Sequence, residues 1–365
     1  SSFGRGDDGQ AIPPWSFDLR RLEAARRLDA DREQPTTLIS GDLRPLVSPV
    51  RIDLADFVRM IQAPIPNLLR DRLQIQLWNE GRVIPDREAL ELDGLSQWEA
   101  GVDLLKGYRT GSSAIDILEL QAARGQLPPG ALGAVEFENL QQRIRPVWEV
   151  AERLLEGESK TVPIELEIDD SILVGSVRDL YDNRQVQVQI GSLKGSHQLA
   201  AWIRHLVLVI SRPESHFETT LLSPISGSRG PVSQIDLVLE DTEEESKEEQ
   251  ARRHLSTLLN VYRQALNQPV QIFCEAGIRY AYARQRGRSD VLAMNDARTG
   301  WQRDLRDPLL RHAYGTDMDL GAIAEQGDFV SASESIFGPL VRAGGKPRRA
   351  GAIAASGGTY RVATM

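Results

Sequence analysis

Three short segments of alternating apolar and polar residues stand in the centre of the chain, at residues 162–168, 172–180 and 186–190. They are separated by Asp169-Asp170 and Asp182-Asn183, which are residue types that favour turns. Alternation with a period of two predicts strands with one buried face. The spacing therefore predicts an antiparallel meander of three strands, and such a sheet must bury its apolar face against another layer.

The segments after the meander predict what covers it. Residues 197–210 have apolar residues at helical spacing, two short strands are expected at 219–222 and 235–239, and a long helix is expected over 243–266. Thr242 and Glu245 have the spacing of a capping box at the start of that helix, although the surrounding acidic run could also suggest a metal site. Residues 270–273 are a further extended piece. This order predicts an α/β sandwich.

The flanking segments predict additional helices and the domain limits. Asp53 is expected to cap a helix that begins at Leu54, and residues 73–78 alternate as a strand would. Helices are expected over 95–124, broken near 107–112, and over 132–156. Residues 1–50 are interpreted as a linker with a docking helix at 17–32, residues 51–337 as the folded domain, and residues 338–365 as a disordered tail.

Charge and composition exclude several classes of protein. The chain of 365 residues has 43 Lys and Arg against 52 Asp and Glu, a net charge of −9, so any nucleic-acid contact must come from a local patch. Cys274 is the single cysteine, which excludes a disulfide framework and a Cys-rich metal site. No apolar run is long enough to span a membrane. The first residues lack the charged-then-apolar pattern of a signal peptide, so none is expected here. We expect a soluble cytoplasmic protein that is the C-terminal part of a longer one.

Two groups of residues are candidates for DNA contact. On the strand expected at 73–78, amides and an indole could bind phosphates and stack on bases, unless this is an ordinary exposed strand face. A second group mixes Arg with Tyr, a combination that binds phosphates but is also common at protein interfaces. The candidates are Gln74, Gln76, Trp78, Arg279, Tyr280, Arg284, Arg286 and Arg288.

Several segments, taken in order, resemble the C-terminal domain of the RecC family, the gamma subunits of exodeoxyribonuclease V. The resemblance covers roughly residues 15–330 and rests on residues 54–75 around Ala63-Pro64, then on 92–95, 125–133, 202–206 and 262–269. It implies an α/β fold of the restriction-endonuclease-like, PD-(D/E)xK type, degenerate and with helical additions. It also implies RecB, RecD and DNA ends as partners, no membrane, and Mg and ATP used only by the other subunits.

The resemblance also implies that the active site has been lost. Active relatives carry an acid late in one strand and an acid, one residue and a Lys on the next, which together hold a divalent metal. Arg178 stands where the first acid would be, and Ile190 ends a strand with neither acid nor lysine before Lys194. Asp179, one residue along, is expected on the other sheet face. Glu136 is the nearest polar candidate for a catalytic His on the preceding helix. No catalytic or metal-binding residue is therefore expected.

The resemblance therefore implies a non-catalytic domain that helps to split duplex DNA and guide its strands to RecB and RecD during double-strand-break repair by homologous recombination. Two alternatives stay open. One is an active Mg-dependent exonuclease domain, which would need two carboxylates and a lysine in one cleft. The other is a docking module that binds partner subunits and does not contact DNA.

Overall fold

The computed structural model describes residues 23, 26, 43, 45–77, 92–155, 157–225, 232–345 and 347–350. All of them except Glu23 and Arg26 belong to one unit, Asp42–Met365. The docking helix expected at 17–32 lies almost entirely outside the described residues, as do Trp78 and residues 351–365.

A mixed sheet forms the centre of this unit. Its strands are β1 (Arg51–Asp53), β2 (Lys160–Ile168), β3 (Ser171–Tyr181), β4 (Arg184–Val188), β5 (Glu218–Pro224), β6 (Val232–Val238) and β7 (Arg348–Ala350). The predicted meander is confirmed, since β2, β3 and β4 pair antiparallel in sequence. β5 lies parallel to β4, and β6 and β7 continue the sheet antiparallel. The fold is therefore mixed α/β with a mixed sheet.

The long strand β3 has different partners along one of its edges. β2 pairs with almost the full length of β3, so it occupies one edge. β1 pairs with residues 172–174 and β4 with residues 180–181, and both must therefore use the opposite edge. Between these two pairings, no strand of the described part of the chain lies beside residues 175–179 of β3 on that edge. The sheet is consequently split between β3 and β4.

Helices follow the strands in the order that the hydrophobic spacing predicts. They are α1 (Leu54–Gln62), α2 (Pro64–Asn67) with a π-helical turn (Leu68–Arg72), α3 (Gly94–Arg109), α4 (Ala114–Ala123), α5 (Ala131–Glu152), α6 (Gly195–Ser211) and α7 (Lys247–Ala265). Asp53 caps α1 as expected, because its carboxylate accepts hydrogen bonds from the backbone N–H groups of Ala55 and Asp56. The expected break between α3 and α4 is also present.

The two faces of the sheet pack against different helices. On one face, α1, α6 and α7 bury side chains such as Trp202 and Leu255 against Leu221. On the other face, α5 packs Val147 and Ala151 against Leu222. Leu221 and Leu222 are neighbours on β5 and point to opposite faces because strand side chains alternate. The sheet is thus a buried central layer.

Further helices complete the chain beyond α7. They are α8 (Cys274–Gln285), α9 (Asp290–Asp304), α10 (Pro308–Tyr314), α11 (Leu320–Glu325), α12 (Phe329–Ala332) with a π-helical turn (Ser333–Phe337), and α13 (Gly338–Gly344). Phe273 joins several of them, since its ring centroid lies 4.6 Å from that of Trp301 and 5.9 Å from that of Phe329. This part of the chain therefore has an aromatic core of its own.

Three sequence predictions are wrong within the described residues. Residues 73–77 form no strand, because the backbone N–H of Ile75 bonds to the carbonyl of Leu69 and Gln74 has a φ of +55°. The extended piece expected at 270–273 is not part of a described strand, but Phe273 has an extended backbone with a φ of −118° and a ψ of 108°. α7 begins at Lys247, with a capping box formed by Ser246 and Glu249. Within the tail that was expected to be disordered, residues 338–344 form α13 and residues 348–350 form β7, whose apolar residues are too few for a periodic pattern.

Candidate functional site

A bulge in β3 shapes the split in the sheet. Val162 pairs with Val177 and Lys160 with Leu180, so β3 has one more residue than β2 over this stretch. Asp179 takes up the extra length with a φ of +57°. Without the bulge, alternation would send Asp179 to the face of Leu173 and Val177. The bulge instead brings Asp179 to the same cleft as Arg178, and the expectation that it lies on the opposite sheet face is wrong.

The split opens into a cleft of about 600 Å³, which we call the β3–β4 cleft. The start of α1, the ends of α3 and α5, strands β3 and β4, and α6 all contribute to its wall. The polar and aromatic residues that line it are Asp53, Arg109, Trp148, Ser176, Arg178, Asp179, Tyr181, Gln185, Gln187, Gln189 and Arg204.

The carboxylate of Asp179 is paired within this cleft. Arg109, at the end of α3, places its Nη2 atom 3.1 Å from Asp179 Oδ1 and donates to the hydroxyl of Tyr181 at 3.2 Å. Burial lowers the pKa of the Arg109 guanidinium, but the neighbouring Tyr181 and Asp179 raise it above its usual value overall. The charge of Asp179 is therefore compensated by an arginine that stays protonated.

Two further arginines of the cleft have no such compensation. Arg204 is partly buried on α6, and burial lowers the pKa of its guanidinium below the usual range. Arg178 is exposed beside the bulge. Among the described residues, no carboxylate lies within 4 Å of either guanidinium. The cleft therefore carries positive charge on a chain whose net charge is −9.

Glutamine side chains occupy the β4 side of the cleft. Gln185 is buried, and its Nε2 donates to the carbonyl of Arg178 at 3.2 Å, which ties the bulge to β4. Gln187 and Gln189 also line the cleft, two positions apart and hence on the same side of the strand. Ile190 is buried against the helices of α3–α5 and is not a cleft residue. Lys194 is exposed at the start of α6, outside the cleft.

Glu136 also lies away from the cleft, which the sequence comparison with active relatives does not anticipate. The cleft residue of α5 is Trp148, twelve positions further along the helix. At 1.5 Å per residue, this separation is about 18 Å. The Trp148 ring stacks on Tyr108 with the two centroids 6.1 Å apart. An aromatic ring, and no acid from α5, therefore faces this site.

The described residues contain no group of three or more His, Cys, Asp or Glu that could hold a metal ion. In the cleft, Asp53 is engaged with the backbone N–H groups at the start of α1, at 2.8 and 3.1 Å, and Asp179 is engaged with Arg109. No lysine is present among the described residues of the cleft wall. Its chemistry is that of anion binding through guanidinium and amide groups.

The first predicted group of DNA-contacting residues is only partly described. Gln74 and Gln76 are exposed on an irregular segment after the π-helical turn, and Gln74 Nε2 donates to the carbonyl of Asp71 at 2.8 Å. Trp78 lies outside the described residues. The described pair stays a candidate for DNA contact, but not as one face of a strand.

The second predicted group lies on and after α8. Arg284 pairs with Asp290 at 2.9 Å, and Arg288 pairs with Asp296 at 2.7 Å. Tyr280 is fully buried, and burial raises the pKa of its hydroxyl to about 12. Arg279 is partly buried and Arg286 is exposed. The structure thus gives two of these arginines acidic partners and places the Tyr280 ring where a base could not stack.

One cleft residue, Arg204, was missed by the sequence analysis although the sequence contains a signal for it. Arg204 is the one charged side chain in the stretch Gln198–Ile210 of α6, whose other members are almost all buried. A lone arginine in such a helix must either find a partner or reach a cavity. Trp148 and the β4 glutamines carry no comparable signal, because their role depends on where α5 and the split in the sheet lie.

Comparison with known families gives the context of this cleft. The model of the RecC C-terminal domain matches residues 49–285, which extend from the residues before β1 to the end of α8 and include the whole β3–β4 cleft. No helix among the described residues is long and apolar enough to cross a membrane.

Three curated proteins, each described as RecBCD enzyme subunit RecC, are similar to the chain. The protein of Mycobacterium tuberculosis CDC 1551 is 28% identical over 201 residues, which is 55% of this chain and 18% of that protein. The protein of Mycolicibacterium smegmatis is 26% identical over 63% of this chain and 22% of its own length. That of Escherichia coli K12 is 23% identical over 64% of this chain and 19% of its length. The chain thus spans about a fifth of these relatives. Because the model of the RecC C-terminal domain covers well over half of this chain, the chain belongs to the RecC family and corresponds to its C-terminal domain.

Proposed function

We propose that the chain is a non-catalytic DNA-handling and scaffold domain of a RecBCD helicase–nuclease that acts in double-strand-break repair by homologous recombination. In this role it helps to split duplex DNA and to guide the strands to RecB and RecD. The family membership and the relatives' description as RecBCD subunits support the assignment to that complex. No cofactor is proposed for this chain, and Mg and ATP serve the other subunits.

The fold we propose is a degenerate restriction-endonuclease-like one. Its support is the position of the β3–β4 cleft, which opens between two neighbouring strands as the resemblance to active nucleases implies. Arg178 and Asp179 lie on the first strand, β3. Gln187 lies on the second, β4, and Gln189 follows directly after it. The β4 side of the cleft therefore presents amides, with neither an acid nor a lysine among its described lining residues.

The observation that carries the non-catalytic assignment is the composition of this cleft. Arg109 compensates Asp179, Asp53 caps α1, and the described wall contains no lysine. A metal-dependent nuclease needs at least two free carboxylates to hold the cation and a base or ammonium beside it. These groups do not converge here, and this weighs against the active-exonuclease alternative.

The first test is hydrolysis and binding by the full chain. With Mg²⁺ or Mn²⁺ we expect no cleavage of single-stranded, double-stranded or forked DNA, and Asp179→Ala should not differ from the wild type. Forked DNA should nevertheless bind, with an affinity that falls as salt rises because phosphate contacts release counterions. Cleavage that is abolished in Asp179→Ala would establish the exonuclease alternative. If the chain neither cleaves DNA nor binds forked DNA at low salt, only the alternative of a docking module would remain.

Exposed apolar side chains on the helices α3–α5 support the scaffold part of the proposal. Trp98 is 54% exposed and Ile115 is 67% exposed, and Leu95, Leu132 and Val135 are also exposed. Single exposed apolar residues are common, but several on one group of helices mark a surface for protein contact. These exposed apolar residues are not part of the core of this region, which consists of residues such as Leu104 and Ile144.

A subunit contact here makes a second prediction. Trp98→Asp should weaken co-purification with RecB and RecD at least tenfold, because it places a charge in an apolar interface. The melting temperature of the chain should stay within about 2 °C, since Trp98 is half exposed. The matched control is Val291→Asp on α9, which is 73% exposed and far along the chain from this surface. Equal recovery of the partners with Trp98→Asp would exclude this surface as their contact.

A further inference from the structure

We infer that the β3–β4 cleft binds the phosphodiester backbone of a single DNA strand without a metal ion, through the guanidinium groups of Arg204 and Arg178. This inference rests on the proposed function, and it assigns the DNA contact to a site other than the two groups that the sequence suggests.

Arg204 is the first part of the argument. Its side chain is partly buried where it lines the cleft, and no acidic group or hydrogen-bond acceptor among the described residues is paired with it. Burying an uncompensated charge is unfavourable unless a ligand supplies the opposite charge. Replacement by an apolar residue would remove this cost, so the arginine is expected to be present for a bound anion.

Arg178 provides a second cation at the same wall. It projects from the bulge of β3, and Gln185 holds the bulge in place by its hydrogen bond to the Arg178 carbonyl at 3.2 Å. Its neighbour in the chain, Asp179, is already paired with Arg109. Because that pair is internally neutral, it neither competes for the two other guanidinium groups nor repels an incoming phosphate strongly.

The remaining lining favours nucleic acid over an acidic peptide. Trp148 offers an aromatic ring, and Gln187 and Gln189 offer amides that can donate to phosphate oxygens or base edges. A peptide could instead add as a strand to the unpaired edge of β3. Leu54 obstructs this, because it packs so tightly on Gly175 that a Cβ built there would lie 2.9 Å from the Leu54 Cβ. The cleft volume, about 600 Å³, suits a short piece of flexible chain entering from one side.

The test is binding of the full chain to a fluorescein-labelled dT15 oligonucleotide, measured by fluorescence anisotropy from 50 to 300 mM salt. Arg204→Met and Arg178→Gln should each weaken binding about 5–10-fold at the lowest salt. Each should also reduce the slope of log affinity against log salt by about 0.7, the value for one lost phosphate contact to a single strand. Arg212→Gln, which removes an exposed charge just after α6, is the matched control and should leave the slope unchanged.

Stability separates a ligand contact from a structural role. Arg204→Met should melt at the same temperature as the wild type or higher, because it removes a buried charge that has no partner in the described chain. A lower melting temperature together with unchanged binding would show that the arginine is structural and would overturn the inference.

The remaining outcomes distinguish this inference from the proposed function. If the wild type binds dT15 and both cleft variants bind equally well, the cleft assignment is wrong and the DNA-handling function stands. If the wild type binds neither dT15 nor forked DNA at 50 mM salt, both fail. Competition by polyglutamate that equals competition by unlabelled dT15 would identify a site for acidic peptide. Arg204-dependent binding of inorganic phosphate, without any effect of Arg204→Met on dT15, would identify a site for the free ion. Either result would overturn the inference.

Discussion

Replacing Trp301 with alanine is expected to lower the free energy of unfolding by about 3–5 kcal/mol, as for other buried aromatic residues that are truncated to alanine. Trp301 is 1% exposed on α9, and its ring packs against those of Phe273 and Tyr314 at centroid distances of 4.6 and 5.7 Å. Its Nε1 donates to the carbonyl of Met318 at 2.9 Å. The substitution removes all three interactions and leaves a cavity that the surrounding helices fill only in part.

Guanidinium denaturation followed by circular dichroism measures this change. Trp301→Phe should lose less, about 1–2 kcal/mol, because it keeps most of the ring contact and gives up the hydrogen bond to Met318. Val291→Ala, at an exposed position of the same helix, is the control and should lie within about 0.5 kcal/mol of the wild type. A Trp301→Ala chain as stable as the wild type would mean that helices α8–α12 do not pack as described.

Acidification from pH 6.5 to 4.5 is expected to lower the free energy of unfolding by about 2–3 kcal/mol. Burial lowers the pKa of His205 to about 3, and it lowers those of His197 and His254 to about 4. Histidines of the unfolded chain have a pKa near 6.5. Below that pH the unfolded chain therefore binds protons that the folded chain does not bind. The stabilisation by neutral histidine is therefore complete above pH 6.5 and is lost as the pH falls towards the folded-state pKa.

One carboxylic acid acts in the opposite direction. Burial raises the pKa of Asp304 to about 7, against the effect of hydrogen bonds from the backbone N–H groups of Glu275 and Ala276. Between pH 4 and 7 the folded chain therefore holds a proton that the unfolded chain releases, and acidification favours the fold by about 1.4 kcal/mol per pH unit. This offsets roughly one histidine. Since the two less buried histidines are partly screened by solvent, the net loss stays near the stated range.

Urea denaturation at the two pH values tests the prediction. His205→Gln removes the most deeply buried titrating group, so the variant should lose most of the pH dependence of the wild type. His312→Gln changes an exposed histidine and should reproduce the wild-type dependence. Equal stability of the wild-type chain at pH 6.5 and 4.5 would contradict the assignment of neutral buried histidines.

The sheet and the helices that cover it could be predicted from the sequence, because the patterns that define them are local. Alternation over residues 162–190 and the turn residues between the segments are enough to define β2, β3 and β4, and the apolar spacing after Gly195 defines α6. For residues 73–77 the same alternating pattern predicted a strand that does not form, and the reason is physical. They alternate, but the backbone N–H of Ile75 remains bonded to the preceding helical turn, and alternation alone does not report such a bond.

The candidate site was harder to predict from the sequence, because its geometry depends on one irregularity, the bulge in β3. Asp179 and Arg178 face one cleft only because β3 gains a residue relative to β2, and nothing in the local composition specifies that bulge. The pairing of Arg109 with Asp179 joins residues 70 positions apart. The arginines after α8 illustrate the converse. Their clustering in sequence is real, but acids from α9 lie next to Arg284 and Arg288 in space.

The short strand β7 has a practical consequence for handling this protein. It occupies the outer side of β6, and Arg348 forms an ion pair with Asp236 on that strand. A chain shortened to end at residue 285, where the family match stops, would leave the β6 backbone groups open to solvent. Exposed strand edges template association with other molecules. Preparations trimmed to the matched region should therefore precipitate as concentration rises, and samples for biophysical work need to retain the residues through Ala350.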